Sequence, residues 1–268
     1  MSTIHEILRQ GIISNLDSEV LLCFILKKPK SYLFSHPEYC LLPDELELYN
    51  KMLKQRRQGK PIAYITNTKE FWSLPFKVNR NTLIPRPETE ILVERALLHI
   101  KDLKAPKILD LGTGCGAIAI AIAYERPDSA ITAIDISKAA LKVAQYNAEK
   151  LLKTAINFYQ SAWFNNIPQA ERFNLIVANP PYIALREEHL NLSSEPNRAL
   201  YAGASGLVAI EKIIHAAKDY LLPGGLICIE HGYKQKNSVQ QILHQALYTK
   251  IHTIKDLQGH DRITEATR

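Results

Sequence analysis

The sequence predicts an α/β protein: a mostly parallel sheet covered on both faces by helices, preceded by a small all-helical unit. Three observations carry that expectation. From Lys107 onward, short apolar runs alternate with longer helical ones, the pattern of strands joined by crossover helices. A glycine-rich turn, Gly112-Thr113-Gly114-Cys115-Gly116, follows the first of those runs directly. Ahead of them, residues 1 to about 65 carry helical periodicities. A length of 268 residues amounts to roughly two domains.

Taken in order, Thr3 and Glu6 form a capping-box pattern, and Ile4, Ile7 and Leu8 then repeat at helical spacing. Asp17 is expected to cap a run through Val20, Leu21, Phe24 and Ile25 that ends before Pro29. Asp44 with Glu47 is expected to start a further helix that stops at Gly59. Phe71 to Leu83 sets β-formers among turn residues, which predicts a short hairpin or linker. The expected division is thus a helical unit over 1–70, a linker over 71–85 and a larger domain over 86–268. Strands are predicted at Lys107 to Leu111, Ala130 to Asp135, Ile156 to Tyr159, Phe173 to Ala178 and Gly225 to Glu230. Thr249 to Asp256 and Arg262 to Thr267 are expected to add an antiparallel edge pair. Ala117 to Ala123 alternates Ala and Ile as a strand would. It is read as helix, because a glycine turn precedes it, Ala is the strongest helix former, and Ile118 and Ile122 share a face.

Composition narrows the function classes. With 46% hydrophobic and 22% charged residues, 11 Gly and 14 Pro, wholesale disorder and fibrous architectures are excluded. The longest uncharged stretch, Leu111 to Tyr124, falls short of the roughly 18 apolar residues of a membrane span. The first ten residues lack the pattern of a secretory signal, so a cytoplasmic protein is expected. Cys23, Cys40, Cys115 and Cys228 stand singly, and neither His231, His260 nor the other histidines pair at metal-ligand spacing. Neither disulfides nor a metal site are expected. Net charge is +6, yet residues 1 to 70 hold ten Lys or Arg against eight Asp or Glu. The cluster Lys51, Lys54, Arg56, Arg57 and Lys60 falls at a helix end, where cations suit the dipole, so it reads as a solvated face and no stable nucleic-acid partner is expected.

The glycine turn lets backbone approach a ligand, and Asp135, nineteen residues past Gly116 at a strand end, can accept two ribose hydroxyl protons. A nucleotide-like cofactor is implied. Gly112, Gly114 and Ala117 also satisfy the dinucleotide fingerprint, which keeps a dehydrogenase open. Against it, Asp110-x-Gly112-x-Gly114-x-Gly116 is the arrangement expected for S-adenosylmethionine, which has no pyrophosphate to be cradled, with Asp110 either facing its ammonium group or capping the turn.

Asn179-Pro180-Pro181-Tyr182 follows the predicted strand Phe173 to Ala178, at the sheet edge where open α/β folds bind ligands. The two prolines stiffen the loop and remove two backbone donors. The Asn179 side-chain carbonyl and the Pro180 backbone carbonyl can then receive both protons of one NH2 group, with Tyr182 as a flat wall. Such a pair suits methylation of a planar amide or amine nitrogen, whose lone pair is delocalised and must be oriented before it can attack.

With those motifs in place, the sequence resembles the HemK-type release factor glutamine methyltransferases, which are class I S-adenosylmethionine enzymes. The resemblance runs through Pro61 to Ile65, Leu83 to Glu90, the glycine turn, Asn179 to Tyr182, Glu195-Pro196 with Ala199-Leu200, Glu230-x-Gly232-x-x-Gln235 and Asp256-x-x-Gly259-x-x-Arg262. It implies a seven-stranded Rossmann-like methyltransferase domain and an N-terminal helical domain that holds the protein substrate. The implied reaction is transfer of a methyl group to the amide nitrogen (N5) of the glutamine in the Gly-Gly-Gln tip of class 1 peptide chain release factors. By the same carry-over, Gly112, Thr113, Gly114, Cys115, Gly116, Asp135, Trp163 and Asn179 contact the cofactor. Asn179, Pro180, Pro181 and Tyr182 take the glutamine, with Asn179, Pro180 and Tyr182 catalytic. Pro85 to Glu90 helps separate release-factor enzymes from relatives that methylate a ribosomal protein, although Pro87, Glu88 and Glu90 also suit a helix start. Ala162 stands where the family usually has aspartate, and Asn67 where it usually has glycine.

Besides the dehydrogenase, which predicts nicotinamide binding and leaves the Pro-Pro loop unexplained, two rivals remain. A nucleic-acid adenine N6-methyltransferase would present the same two protons to the same loop, but should show a concentrated basic face. A catalytically idle binding module would leave S-adenosylmethionine unbound.

Overall fold

The computed structural model describes residues 2–186 and 194–268. The chain divides into two compact units, Met1–Thr68 and Lys69–Arg268. The first is helical: α1 (Ile4–Arg9), α2 (Asn15–Leu26), α3 (Lys30–Ser35), α4 (Pro43–Arg57) and α5 (Ile62–Thr66). Ile4, Ile7, Leu21, Leu22, Leu33, Leu41, Tyr49 and Met52 pack as its core. The capping box of α1 forms as expected: Glu6 N donates to Thr3 Oγ1, and Thr3 N to Glu6 Oε2.

Two caps differ from the expectation. Ser14, not Asp17, caps α2, with its Oγ accepting from Asp17 N at 3.2 Å. Asp17 sits in the first turn, where its charge suits the dipole, and accepts from Arg56 Nε at 2.8 Å. Helix α4 starts at Pro43, whose missing N–H costs nothing at that position, and Glu45 rather than Glu47 reaches back to Leu42 N at 2.8 Å. Asn67, at φ 56°, ends α5 in the left-handed region that asparagine tolerates.

A hairpin, β1 (Thr68–Phe71) and β2 (Leu74–Lys77), begins at the last residue of the first unit, three residues earlier than the sequence pattern places it. After a 3-10 turn at Pro87–Thr89 come α6 (Glu90–Ile100), β3 (Lys107–Leu111), α7 (Ala117–Glu125), β4 (Ala130–Asp135), α8 (Lys138–Leu151), β5 (Asn157–Gln160) and β6 (Phe173–Ala178). Then follow α9 (Val208–Tyr220), β7 (Leu221–Glu230), α10 (Lys236–Gln245), β8 (Thr249–Lys255) and β9 (Asp261–Thr267). β5 lies one residue later than expected, and β7 starts four earlier, running through Pro223-Gly224-Gly225 beside an irregularity in its pairing with β6. Ala117 to Ala123 is helical and wholly buried, so the strict alternation reflects burial all round rather than a pleat.

The seven strands lie in the order β5-β4-β3-β6-β7-β9-β8, with the first five parallel and β9 antiparallel to both neighbours. The order reverses direction between β3 and β6, which opens a crevice beyond their carboxyl ends. Leu111 pairs with Ala178 and Ala178 with Ile229, so Gly112, Asn179 and Glu230 leave the sheet side by side. Leu109, Leu111, Ile134, Ile176, Ile213 and Ile227 belong to the buried core beneath that edge. No helix among the described residues is long and apolar enough to cross a membrane.

Candidate active site

A cavity of about 240 Å³ lies at the crevice, lined among others by Gly112, Gly114, Asp135, Trp163, Asn179 and Arg198. A second of about 80 Å³ adjoins it, sharing Leu83, Asn179 and Ala199 and adding Arg86, Tyr182, Ile183 and Leu200. Asn179 thus stands on the wall common to a larger and a smaller chamber.

The glycine turn owes its course to backbone that side chains would obstruct. Gly114, at φ 58°, has open space where a Cβ would stand, whereas a Cβ at Gly116, φ 86°, would fall 2.7 Å from Ile120 Cδ1 and 3.2 Å from Ala144 Cβ. Gly114 therefore keeps room in the cavity, and Gly116 lets α7 and α8 approach. The amides of Gly112 and Thr113 donate to Ile134 O, Gly114 N donates to Asp135 Oδ2, and Gly116 N to Thr113 O. With those donors committed inside the protein, the turn is not a cradle for pyrophosphate, which counts against a dinucleotide.

Of the residues expected at the cofactor, Gly112, Gly114, Asp135, Trp163 and Asn179 line the larger cavity. Thr113, Cys115 and Gly116 do not. Thr113 Oγ1 donates to Asp110 Oδ2 at 2.6 Å. Cys115 is buried, its thiol pushed up to about 12 by loss of solvent, and its carbonyl accepts from Asn147 Nδ2 at 2.8 Å. Asp110 lies fully buried behind the turn rather than on the cavity wall. Burial raises its carboxyl to about 7, and Oδ1 has no hydrogen-bond partner among the described residues.

Asp135 accepts from Gly114 N at 2.9 Å and from Ser137 N at 2.8 Å, one bond per oxygen. Burial raises its pKa. Each carboxylate oxygen keeps a lone pair for a ligand hydroxyl. Trp163, at φ 51°, brings its ring 3.5 Å from where a Gly112 Cβ would be. A diol acceptor, an aromatic face and an open glycine in one cavity fit an adenosyl group.

Behind the Asn-Pro-Pro-Tyr loop lies a polar scaffold. Asn179 Nδ2 donates to Thr89 Oγ1 at 3.1 Å, and Thr89 Oγ1 donates to Glu230 Oε2 at 2.7 Å. Tyr182 OH donates to Glu230 Oε1 at 3.3 Å, and burial holds that phenol far above its ordinary range. Gln235 Nε2 donates to Tyr182 O at 3.0 Å while its Oε1 accepts from Gly232 N, and a Cβ on Gly206 would strike Tyr182 O at 2.3 Å. Glu195, also buried, accepts from Ile84 N at 2.9 Å and pairs with Arg86. Pro181 lines the larger cavity and Tyr182 the smaller, while Pro180 lines neither. Thr89, as a hydrogen-bond partner of the loop, was not legible in the sequence, and Gln235 and Glu230 were legible only as a motif without a chemical task.

Elsewhere, His99, Cys228 and Glu265 place ligand atoms within 4.8 Å of one another. Arg95 grips Glu265 by two bonds at 3.0 and 2.8 Å, however, so the cluster is an ion-pair network with its own cation. His231 is buried and bonded to Gly232 O and Thr264 Oγ1, and burial lowers its pKa.

The sheet order, the crevice and the cavity that fits an adenosyl group define a class I S-adenosylmethionine-dependent methyltransferase. Solved structures agree on the fold. A methyltransferase from Pyrococcus furiosus matches with a TM-score of 0.54 at 17% identity over 81% of this chain and 98% of that one. The Thermus thermophilus 16S rRNA N2 G1207 methyltransferase, solved with AdoMet and guanosine, gives 0.55 at 16% over 75% and 49%. Family models are more specific: "Methyltransferase small domain" matches residues 88–260, and "PrmC N-terminal domain" residues 6–66. Release factor glutamine methyltransferases of Coxiella burnetii and Vibrio cholerae are each 45% identical, over 94% and 93% of this chain and 91% and 88% of theirs. The chain belongs to the release factor glutamine methyltransferase family.

Proposed function

We propose that this protein methylates the side-chain amide nitrogen of a release-factor glutamine, with S-adenosylmethionine as donor and the Gly-Gly-Gln tip of a class 1 factor as acceptor. The observation that carries the assignment is the position of Asn179 on the wall shared by two chambers, one fitted to an adenosyl group and the other small, about 80 Å³. Bound S-adenosylmethionine supplies an electrophilic methyl carbon on a sulfonium sulfur. Gly112, Gly114, Asp135 and Trp163 hold it, with Asp135 on the ribose hydroxyls and Trp163 on the adenine. Asn179 Oδ1 receives one N–H proton of the amide, and the other is assigned to the Pro180 carbonyl on the sequence motif and the family resemblance alone, Pro180 itself lining neither chamber. Tyr182, held by Glu230 and Gln235, walls the slot. Fixing both protons weakens delocalisation of the nitrogen lone pair and aims it across the shared wall. No side chain is assigned as general base, and the proton leaves to water.

The helical unit is assigned to grip the release factor. Supporting this, Leu16, Val20 and Phe24 share one side of α2 at spacings of four and are exposed, Leu16 at 65%. The work is assigned to the cytoplasm, without a stable nucleic-acid partner. The deciding experiment incubates the protein with labelled cofactor, a release factor and its tip Gln→Ala variant. Mass spectrometry should place one methyl on the tip glutamine, with none on the variant. Methyl transfer to adenine in nucleic acid instead would reassign the substrate.

A further inference from the structure

Asn179 can work only if its amide is turned the right way, because a substrate NH2 group brings donors and needs an acceptor. An asparagine amide is nearly symmetric in shape, so its orientation is set by its hydrogen-bond partners. Here the partner is Thr89 Oγ1, which owns a single hydrogen. That hydrogen is committed to Glu230 Oε2 at 2.7 Å, so toward Asn179 the hydroxyl can only accept. It takes Nδ2–H, and Oδ1 is left as the free end.

We propose that Thr89 and Glu230 are positioning residues for methyl transfer: Glu230, by accepting from Thr89, fixes the Asn179 amide with its oxygen toward the substrate, and loss of that acceptor lets the amide turn over. The inference rests on the functional assignment above. Its geometry comes from three separate segments, the turn before α6, the end of β6 and the end of β7, which meet because β6 and β7 are parallel neighbours. Glu230 is 1% exposed, and the charged or titratable groups facing it are Tyr182 from the loop, Glu88 beside Thr89, and Arg262 from β9.

A consequence is a pH dependence of the chemical step. Burial raises Glu230 to about 7, partly offset by the Thr89 hydroxyl and Arg262. Below that pH the protonated carboxyl can donate to Thr89, whose own hydrogen then turns toward Asn179 and favours the reversed amide. The reversed amide offers donors to a donor.

The test compares the full-length parent with Glu230→Gln, Thr89→Val and Thr89→Ser in single-turnover methylation of a purified release factor, from about pH 5.5 to about pH 9. Calorimetry gives the S-adenosylmethionine affinity in parallel. The parent rate should fall as pH drops through about 7, without a matching fall in cofactor affinity. Glu230→Gln, which keeps an acceptor oxygen but cannot titrate, should lose that acid limb. Thr89→Val should slow transfer about 10-fold or more with cofactor affinity within about twofold, and Thr89→Ser should restore the rate. An acid limb retained in Glu230→Gln, a Thr89→Val variant as fast as the parent, or a Thr89→Ser variant as slow as Thr89→Val would each overturn the proposal. A parent that binds cofactor but methylates no release factor overturns the functional assignment and this inference with it. Methylation by the parent with unaltered variants overturns this inference alone.

Discussion

Two glycines of one turn have different tasks, and alanine at each should separate them. Both occupy the left-handed region, where a Cβ costs about 1–2 kcal/mol. At Gly114 nothing lies within 4 Å of the new methyl, so the strain is the whole structural cost. For a unit of this size that lowers the melting temperature by about 2–8 °C. At Gly116 the methyl also meets Ile120 Cδ1 at 2.7 Å, which can swing aside, and the Ala144 Cβ at 3.2 Å, which is fixed to the α8 backbone and cannot. Overpacking adds about 1–3 kcal/mol, for a total of about 2–5 kcal/mol. Ligand binding should show the opposite order, because Gly114 lines the cavity and Gly116 does not. Gly114→Ala should weaken S-adenosylmethionine at least about 10-fold, or 1.4 kcal/mol. Gly116→Ala, refolded and folded fractions being matched, should stay within about threefold of the parent. Urea unfolding and titration calorimetry on the two variants give both quantities. A Gly114→Ala variant that binds as tightly as the parent, or a Gly116→Ala variant no less stable than Gly114→Ala, would refute this division of tasks.

Asn179→Ala should bind cofactor almost normally and lose about 100-fold in turnover, the scale of one positioned polar group, and a near-normal single-turnover rate would remove Asn179 from the mechanism. Ala162 lines the adenosyl cavity, so Ala162→Asp, by adding an acceptor, should tighten cofactor binding by about 1 kcal/mol, and unchanged or weaker affinity by calorimetry would refute it. Burial pulls Glu265 upward, but His99 and Arg95 outweigh it and hold the carboxyl at about 2. Because the folded value lies below the unfolded one near 4.5, its stabilisation is present above about pH 4.5 and is lost as pH falls toward 2. Glu265→Gln should therefore be less stable than the parent at pH 7, with a gap that closes in acid, as followed by urea midpoints across that range.

Much of the fold was legible because local pattern and tertiary context agree along most of the chain. The alternating Ala-Ile stretch was read as helix from its preceding glycines, and it is one, because a helix buried on every side needs no polar stripe. The sequence pattern starts β7 at Gly225, whereas the strand begins at Leu221 and carries Pro223 and Gly224 beside an irregularity in its pairing with β6. Ser14 and Asp17 are both good cap types three residues apart; the sequence reading favours Asp17, and the helix starts one turn earlier on Ser14. The site shows the same division. Gly114, Asp135 and Asn179 are single-chain signals at strand ends, visible as motifs. The bond from Thr89 to Glu230 spans 141 residues and depends on the β6 and β7 register, so no local window contains it.

That long-range bond bears on why the site can act without a base beside the amide. A carboxylate in contact with the substrate NH2 group would orient it, but its charge would also sit within reach of the cationic donor and stabilise the ground state along with the transition state, which brings no acceleration. Here the buried carboxylate, Glu230, lies one hydroxyl behind Asn179 and one phenol behind the slot, through Thr89 and Tyr182. In the proposed arrangement the neutral Asn179 carbonyl faces the substrate, and its direction is held by a carboxylate the substrate does not touch. Positive charge develops on the amide nitrogen only as the methyl arrives, and fixed carbonyl dipoles aimed at its protons strengthen with that charge. In that arrangement the buried Glu230 serves orientation, and the differential stabilisation comes from dipoles that need no reorganisation during transfer.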